Sequence, residues 1–316
     1  MTPTFHVIET VLAFSAVITL SALLKRFSVA SESDAPLFAR ILTRLVVPAL
    51  VFRQLATHPL QARQLVMVGA MIAASLVSLA LAWLAGRALR LDRARLGALM
   101  IVSTFGSSSL LGYPMIEFSF PNDAEAMTDA VLVSELGVGL PIFTICPLVA
   151  MLCGARQDRT RSWTSIAVEY VRSPVFIAVA LGLVAAPLRP DAGNPVIAVV
   201  SQALYMLEGA VTLLAGLTLG LQLKHSSLKG VWILLIVSSV IQMGIEPFVA
   251  VSLGHLGGLS GERLQVLALI SSMPAAVLGP VFATRYDCAG ETASTLAFAH
   301  IVLGAVVIPG VFSLIG

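Results

Sequence analysis

The sequence has few charged side chains. Asp, Glu, Lys and Arg make up 11% of its 316 residues, less than half of the roughly 25% that is usual in soluble domains. Hydrophobic residues make up 58%, so too little polar surface is left to cover a water-soluble globule. The formal net charge of +2 supplies no basic surface for nucleic acid. These numbers exclude a soluble domain, a disordered chain and a nucleic-acid partner.

The sequence also lacks the usual signals of catalysis. Its three cysteines form no Cys-x-x-Cys pair, and no histidine has a partner at a metal-ligand spacing. There is no nucleotide-binding Gly-rich loop and no Gly-x-Ser-x-Gly motif. We therefore expect no enzyme activity, no metal site and no cofactor. A process that needs energy would have to draw it from an ion gradient.

Long apolar runs fill the chain instead. At about 20 residues per membrane-spanning helix, the sequence holds about ten spans, separated by charges, prolines and glycines. The first run has neither the basic start nor the cleavage site of a signal peptide, so it counts as a span. The predicted fold is an all-α polytopic membrane protein with ten transmembrane helices. The spans are residues 5–24, 37–57, 65–88, 96–118, 127–153, 174–188, 195–221, 231–254, 264–284 and 293–315.

The Lys and Arg residues are distributed unevenly between the two sides of these spans. Fifteen of the nineteen lie on one side, and the other side holds Arg53, Arg63, Arg189 and Arg263. Cytoplasmic loops of membrane proteins carry an excess of Lys and Arg. The richer side is therefore assigned to the cytoplasm, which places both termini outside. The expected location is the inner (plasma) membrane of a bacterium.

The spans divide into two groups of five. A polar connection, residues 154–172, separates the group in residues 1–153 from the group in residues 173–316. Because five is odd, two related halves would be inverted relative to each other. Span 4 is interrupted by GSSSLLGYP, which ends at Pro114, and span 9 by SSMPAAVLGP, which contains Pro274. Paired Gly/Pro interruptions in inverted halves are typical of transporter binding sites. We predict that helices 4 and 9 are broken and cross, with Pro114 and Pro274 marking the crossing.

Broken helices leave backbone groups that lipid cannot satisfy. The second half of each helix begins with bare N–H groups and a positive dipole end, which suit an anion. The carbonyls that precede it suit a cation or a proton-carrying water. Hydroxyls around the breaks add donors and acceptors, although each serine could equally cap its helix end. The candidate substrate-binding residues are Ser107, Ser108, Ser109, Tyr113, Pro114, Ser271, Ser272, Pro274 and Arg53.

Four short motifs resemble those of the auxin efflux carrier family. They are residues 106–114, residues 274–286, VPALVF at residues 47–52 and LTLGLQL at residues 217–223. The resemblance covers essentially the whole chain. It implies ten spans, inverted five-helix repeats and crossed helices 4 and 9, in a fold similar to that of sodium/bile-acid symporters. It also implies transport of a small organic anion, such as malonate, malate or auxin, and a homodimer. Members typically carry Asn where this chain has Ser107, so the substrate does not carry over.

Four charged side chains interrupt apolar runs and are singled out here: Arg53, Glu135, Glu208 and Glu246. Each costs about 2.5–3.5 kcal/mol at the centre of a bilayer, so each is a functional candidate. For Arg53 two interpretations stay open. The side chain either reaches the membrane interface or pairs with a carboxylate of the substrate. The resemblance places a polar side chain near the substrate at this position.

Ion coupling has three candidates: Glu135, Glu246 and Gln242. Glu135 ranks first, as a proton carrier or as part of a sodium site with Ser134. Glu246 ranks second and has Gln242 one helical turn earlier on the same face. Glu246 could equally pair with a buried Arg for structural reasons. Of the three glutamates inside apolar runs, Glu208 ranks last, because it lies nearer the outer end of span 7 and is not taken as an ion-coupling residue.

The leading hypothesis is a secondary transporter of small organic anions that works by alternating access. A helical panel with spans 4 and 9 would move against a scaffold of spans 1, 2, 6 and 7. The expected partners are a small organic anion, the lipid bilayer and a second copy of the chain. One alternative is a sodium-coupled symporter of the bile-acid type. Another is a non-transporting membrane receptor or enzyme that uses the same pocket.

Overall fold

The computed structural model is built from helices. It describes residues 12, 13, 16, 17, 19–21, 23–57, 61–121, 123–154, 168, 171–188, 195–222 and 230–315. Apart from turns and one isolated β-bridge, these residues are helical. The helices from residue 35 onwards are α1 Ala35–Thr57, α2 Ala62–Ala88, α3 Arg93–Val102, α4 Tyr113–Ser119, α5 Ala124–Cys153, α6 Pro174–Ala185, α7 Pro195–Glu208, α8 Val211–Gln222, α9 Trp232–Leu256, α10 Glu262–Ser271, α11 Leu278–Arg285 and α12 Gly290–Ile315.

Among the described residues, six stretches of helix are long and apolar enough to cross a membrane. They are α1, α2, α5, α7 with the start of α8, α9 and α12, and they correspond to predicted spans 2, 3, 5, 7, 8 and 10. Predicted spans 4 and 9 are each split into two shorter helices, and span 6 is the short helix α6. Most of span 1 and of the connection at residues 154–172 lies outside the described residues.

Polar residues set the beginnings of several helices. The carboxylates of Asp92 and Asp123 each accept a backbone N–H from the first turn of α3 and α5, at 2.9 Å. The hydroxyl of Ser173 accepts one in α6, at 3.1 Å. Asp and Ser are strong N-caps because they satisfy N–H groups that have no partner inside the helix. These residues therefore end the polar turns and start the apolar helices.

Widened helical turns recur next to prolines. Turns of the π type occupy Leu42–Val46 in α1, Val133–Gly139 in α5 and Val240–Ile245 in α9, and Ser108–Gly112 precedes α4. In each case a proline is the second residue after the turn. Proline has no N–H and its ring crowds the preceding turn, so the hydrogen-bond ladder shifts there. Such turns are frequent at functional sites.

The two ends of the bundle are held by different contacts. At one end, Cβ of Cys153 and Sγ of Cys288 both pack against Gly97, and we call this the Cys153 end. At the other, the side chain of Arg263 contacts Gln61 and Glu125, and we call this the Arg263 end.

Two apolar cores differ in which helices they join. The core at the Cys153 end is built from α3, α11, the second half of α5 and the first halves of α9 and α12. The other core adds α1, α6 and α8. These three helices pack mainly on one another, and their further contacts include α4, its preceding turn and the first part of α5. Their packing is therefore concentrated away from the Cys153 end.

Candidate functional site

The two broken helices meet at their breaks. Residues 103–107 separate α3 from the turn before α4, and residues 272–277 separate α10 from α11. Gly106 lies opposite Ala275 in an antiparallel bridge. The Ser107 N–H donates to the Pro274 carbonyl, and the Ala276 N–H donates to the carbonyl of residue 105, both at 2.7 Å. Each break thus supplies partners for the backbone groups that the other leaves free.

The prolines do not both mark the crossing. Pro274 is part of it, since its carbonyl accepts from Ser107. Pro114 lies beyond the widened turn, at the start of α4, so its predicted place was wrong. Proline suits the first turn of a helix, where its missing N–H has no intrahelical partner to lose. Pro114 therefore marks the start of a half-helix.

Gly106 allows the two broken segments to approach each other closely. A Cβ on this residue would come within 3.0 Å of the Met273 carbonyl oxygen and 3.2 Å of Nε2 of Gln242. Gln242 reaches the crossing from the widened turn of α9 and donates from Nε2 to the Met273 carbonyl at 3.4 Å. Its Oε1 has no hydrogen-bond partner among the described residues. The Gln242 amide thus holds the crossing by its nitrogen, and its oxygen is left as an acceptor without a partner in the described residues.

The serines at the breaks fall into two kinds. The hydroxyl of Ser271 donates to the Leu267 carbonyl at 2.6 Å, and that of Ser272 donates to the Leu269 carbonyl at 2.9 Å. Both are bonded to their own helix. The Ser107 hydroxyl is buried and finds no partner in the described part of the chain. Of the serines predicted to bind substrate, Ser107 is therefore the one whose hydroxyl is left for a ligand. The Ser103 hydroxyl at the same break is also buried and without a partner among the described residues.

A second polar cluster joins the turn before α4 to the widened turn of α5. Ser134 donates to the hydroxyl oxygen of Ser108 at 2.8 Å. The Tyr113 hydroxyl donates to the buried carboxylate of Glu135. The Ser109 hydroxyl lies 3.5 Å from Glu135 Oε1 and from Ser134 Oγ. The cluster lies one turn beyond the crossing and ties Glu135 to the half-helix that begins there.

Glu246 lies in a separate position between α9 and α2. Its side chain is fully buried, and the Ser75 hydroxyl donates to its Oε1 at 3.1 Å. Over the described residues no Lys or Arg lies within ion-pair distance of Glu246. The suggested pairing with a buried Arg is therefore wrong. In the same residues, no group of three or more His, Cys, Asp or Glu could hold a metal ion.

Comparison with known proteins identifies the family. A family model described as membrane transport protein matches residues 6–312. The chain belongs to this family, that of the auxin efflux carriers. The resemblance drawn from the motifs is confirmed.

Two archaeal relatives agree with this assignment. An uncharacterized transporter of Methanothermobacter thermautotrophicus is 26% identical over 304 residues, which is 95% of this chain and 96% of the relative. An uncharacterized transporter of Methanocaldococcus jannaschii is 24% identical over 267 residues, 83% and 84% of the two chains. The chain is a transporter embedded in the membrane by several helices.

In this transporter Arg53 has a carboxylate partner within the chain. Its Nε lies 3.2 Å from Oε2 of Glu208 in α7, and its guanidinium lies 5.1 Å from the ring centre of Tyr205. Gln54 donates to the other oxygen of Glu208 at 2.7 Å. Glu208, ranked last from the sequence, is thus half of an ion pair between α1 and α7. A substrate carboxylate would have to compete with it for Arg53.

The sequence analysis missed Asp129. This residue lies inside α5, is buried, and accepts from Gln64 of α2 at 2.7 Å. Its second oxygen is 3.3 Å from Nε of Arg263 at the start of α10. Asp129 therefore joins three helices at the Arg263 end. The available signal was an acidic residue inside a predicted span, which is costly without a partner.

Glu117 was also overlooked, although it lies in predicted span 4. The Thr212 hydroxyl of α8 donates to Glu117 Oε2 at 3.2 Å. This hydrogen bond connects the half-helix α4 with α8, which belongs to the predicted scaffold. It is a polar contact between the two parts that the leading hypothesis expects to move apart.

Proposed function

We propose that the protein is a secondary active transporter of small organic anions, such as mono- or dicarboxylates or auxin-like acids. The crossing carries this proposal. Immediately after the paired segments, new helical turns begin at Ser108 and Leu278. Two helix N-termini thus face one region with unpaired N–H groups and positive dipole ends, which favours a carboxylate. The free Ser107 hydroxyl adds a donor beside them.

The crossing also supports two inverted five-helix halves in residues 1–153 and 173–316. Its two backbone hydrogen bonds are reciprocal, one donated by each half, as expected when related segments meet about a pseudo-two-fold axis. We place the Cys153 end in the cytoplasm, because Arg93, Arg285 and most other basic residues belong to that side. Both termini are then outside a bacterial inner membrane.

Alternating access is the proposed mechanism, and the uneven packing supports it. The scaffold helices α1, α6 and α8 pack mainly on one another, and they contact the rest of the bundle at segments towards the Arg263 end, namely α4, its preceding turn and the first part of α5. That packing would close the outer side and leave the cytoplasmic side less tightly held. For transport, the panel with the crossing would release these contacts and form others.

Buried carboxylates supply the proposed link to a gradient. Glu135 and Glu246 lie on helices that touch the crossing region, and Gln242 contacts the crossing itself. Sodium-coupled symport is the second candidate, because Ser108, Ser109, Ser134 and Glu135 bring oxygens together, and oxygens bind hard cations. Uptake into proteoliposomes under a sodium gradient or a proton gradient distinguishes sodium-coupled from proton-coupled transport.

Substrate affinity tests the crossing as the binding site. Ser107→Ala is expected to raise KM for a transported carboxylate about tenfold, because a hydrogen bond to a charged group contributes about 1.5–3 kcal/mol. Ser271→Ala should change KM less than twofold, because that hydroxyl is bonded to its own helix. Uptake of radiolabelled carboxylates into proteoliposomes measures both values. Equal effects of the two variants, or uptake of cations or neutral sugars in place of carboxylates, would contradict the proposal.

Arg53 gives a second test, with opposite signs in two variants. Arg53→Ala is expected to raise KM for an anion roughly tenfold to a hundredfold, because a charge-assisted contact is lost. Glu208→Gln should lower KM, because it removes the carboxylate that competes for Arg53. Thermal unfolding in detergent is measured for the same two variants, because loss of the Arg53–Glu208 ion pair should lower the unfolding temperature. If both variants lower the unfolding temperature and leave KM unchanged, Arg53 only joins α1 to α7.

A further inference from the structure

Glu246 has an incomplete set of hydrogen bonds. Ser75 donates to Oε1, and Ser78, one turn later on α2, faces the same carboxyl group. Within the described ranges, neither Oε2 of Glu246 nor Oγ of Ser78 has a hydrogen-bond partner. Two buried oxygen atoms, one of a carboxyl group and one of a hydroxyl, are thus left without a hydrogen-bond partner in this part of the chain. In native proteins such atoms are rare and need an explanation.

The surrounding helices present no charge that would explain an ionised carboxylate. Besides α2, the helices packed against this part of the chain are α10 and α12. The ionisable Arg263 of α10 pairs with Asp129, and the ring of His300 in α12 pairs with the Ser238 hydroxyl. No charged group in the described ranges acts on Glu246. An unpaired buried charge is strongly disfavoured.

A proton on Glu246 removes a buried charge that no Lys or Arg of the described residues compensates. It also makes Oε2 an O–H donor, and the nearby Ser78 hydroxyl can accept from it. An ionised carboxylate would keep its charge even if Ser75 and Ser78 both donated to it. A metal cation fits less well, because hard cations take about six or more oxygen ligands, and the described surroundings offer one carboxyl group and two hydroxyls.

We propose that Glu246, Ser75 and Ser78 form a proton-binding site between α2 and α9, and that its loading and release couple transport to a proton gradient. The coupling part rests on the proposed function; the protonation does not. Gln242 provides the connection, because it lies one turn before Glu246 on α9 and donates to the Met273 carbonyl at the crossing. A charge on Glu246 would favour a different position of α9 and of the amide that supports the crossing.

Infrared spectroscopy of the protein in lipid tests the protonation directly. We expect the carbonyl band of a neutral carboxylic acid at pH 7, lost in Glu246→Gln and shifted in Ser78→Ala. Glu135→Gln and Glu262→Gln should leave this band in place. Glu262 needs the control because burial and the neighbouring Asp123 raise its pKa to about 7. If Glu246→Gln leaves the neutral-acid bands of the wild type unchanged, Glu246 is ionised and the proposal fails.

Transport then tests the coupling. In proteoliposomes, uptake of radiolabelled malonate by the wild type should be stimulated by a pH gradient and unaffected by sodium. Glu246→Gln should lose the stimulation and keep exchange of labelled for unlabelled malonate. Stimulation that persists in Glu246→Gln, or that requires sodium, would overturn the coupling. If the wild type transports no carboxylate, the proposed function fails, while the infrared result still decides the protonation.

Discussion

Joining Glu117→Cys to Thr212→Cys with a short bifunctional thiol reagent is expected to stop transport. The two native side chains are hydrogen-bonded at 3.2 Å across the boundary between α4 and α8. In the proposed alternating-access mechanism, the half-helix α4 moves with the crossing and has to separate from the scaffold helix α8. A covalent link at this point should hold the transporter in one conformation, so uptake should fall to background. Substrate binding in detergent should remain, because the link lies away from the crossing.

A matched link inside the scaffold provides the control. Leu55 of α1 and Gly182 of α6 are in direct contact, with 2.8 Å between the Leu55 Cβ and a Cβ placed on Gly182. Both helices belong to the scaffold, so linking Leu55→Cys to Gly182→Cys should leave transport at the level of the same variant before linking. That comparison separates the effect of the link from the crowding that the new side chain at residue 182 causes. Both pairs are made without the native cysteines, Cys146, Cys153 and Cys288. Normal uptake by the fully linked Glu117–Thr212 pair would show that α4 and α8 do not separate.

The broken helices could be predicted because their signals are local. Ser-rich segments with Gly and Pro inside long apolar runs interrupt the helical pattern at the same point in both halves. The position of the crossing within each segment was harder to predict. Proline is the most visible residue, but its preference for a first helical turn put Pro114 after the break. The residue that allows the contact is Gly106. Its lack of a side chain matters only because the other broken segment, around Ala275, packs against it.

Partners of charged residues could not be predicted, because they depend on packing between distant segments. The cost of a charge in a membrane identified Arg53, Glu135, Glu208 and Glu246 as special. It could not show that Arg53 pairs with Glu208, or that Glu246 has no basic partner in the described residues. These helices come together only in the folded protein, and the spacing of the residues along the sequence does not indicate which helices will be neighbours.

The widened turns show how a local rule and a distant contact combine. Each turn comes just before a proline, so the sequence marks where such a turn can form. Pro147 and Pro309 lie inside helices without one, so a proline alone is not sufficient. The orientation of each turn does not follow from the sequence. In α5 the turn directs Glu135 to Tyr113, and in α9 it directs Gln242 to the crossing. Neither target could be identified before the neighbouring helix was known.

Gly106→Val is expected to abolish uptake and to lower the unfolding temperature by several degrees. Even one added carbon would lie 3.0 Å from the Met273 carbonyl oxygen, and valine adds two more. Overpacking of this kind typically costs about 1–3 kcal/mol. Forcing the two segments apart would also strain the two backbone hydrogen bonds of the crossing, each of which contributes about 1 kcal/mol. Gly106→Ala should give an intermediate result, because alanine adds one carbon atom where valine adds three.

The control for this substitution is Gly69→Val on α2. Gly69 is exposed, and a Cβ placed on it meets no atom within 4 Å. This variant makes the same chemical change in a helix, where valine is at least as favourable as glycine, so uptake and unfolding temperature should stay near wild type. Thermal unfolding in detergent and uptake into proteoliposomes measure both variants. If Gly106→Val transports and unfolds like Gly69→Val, the close contact at residue 106 does not hold the two broken helices together, and the site proposed at the crossing loses its structural basis.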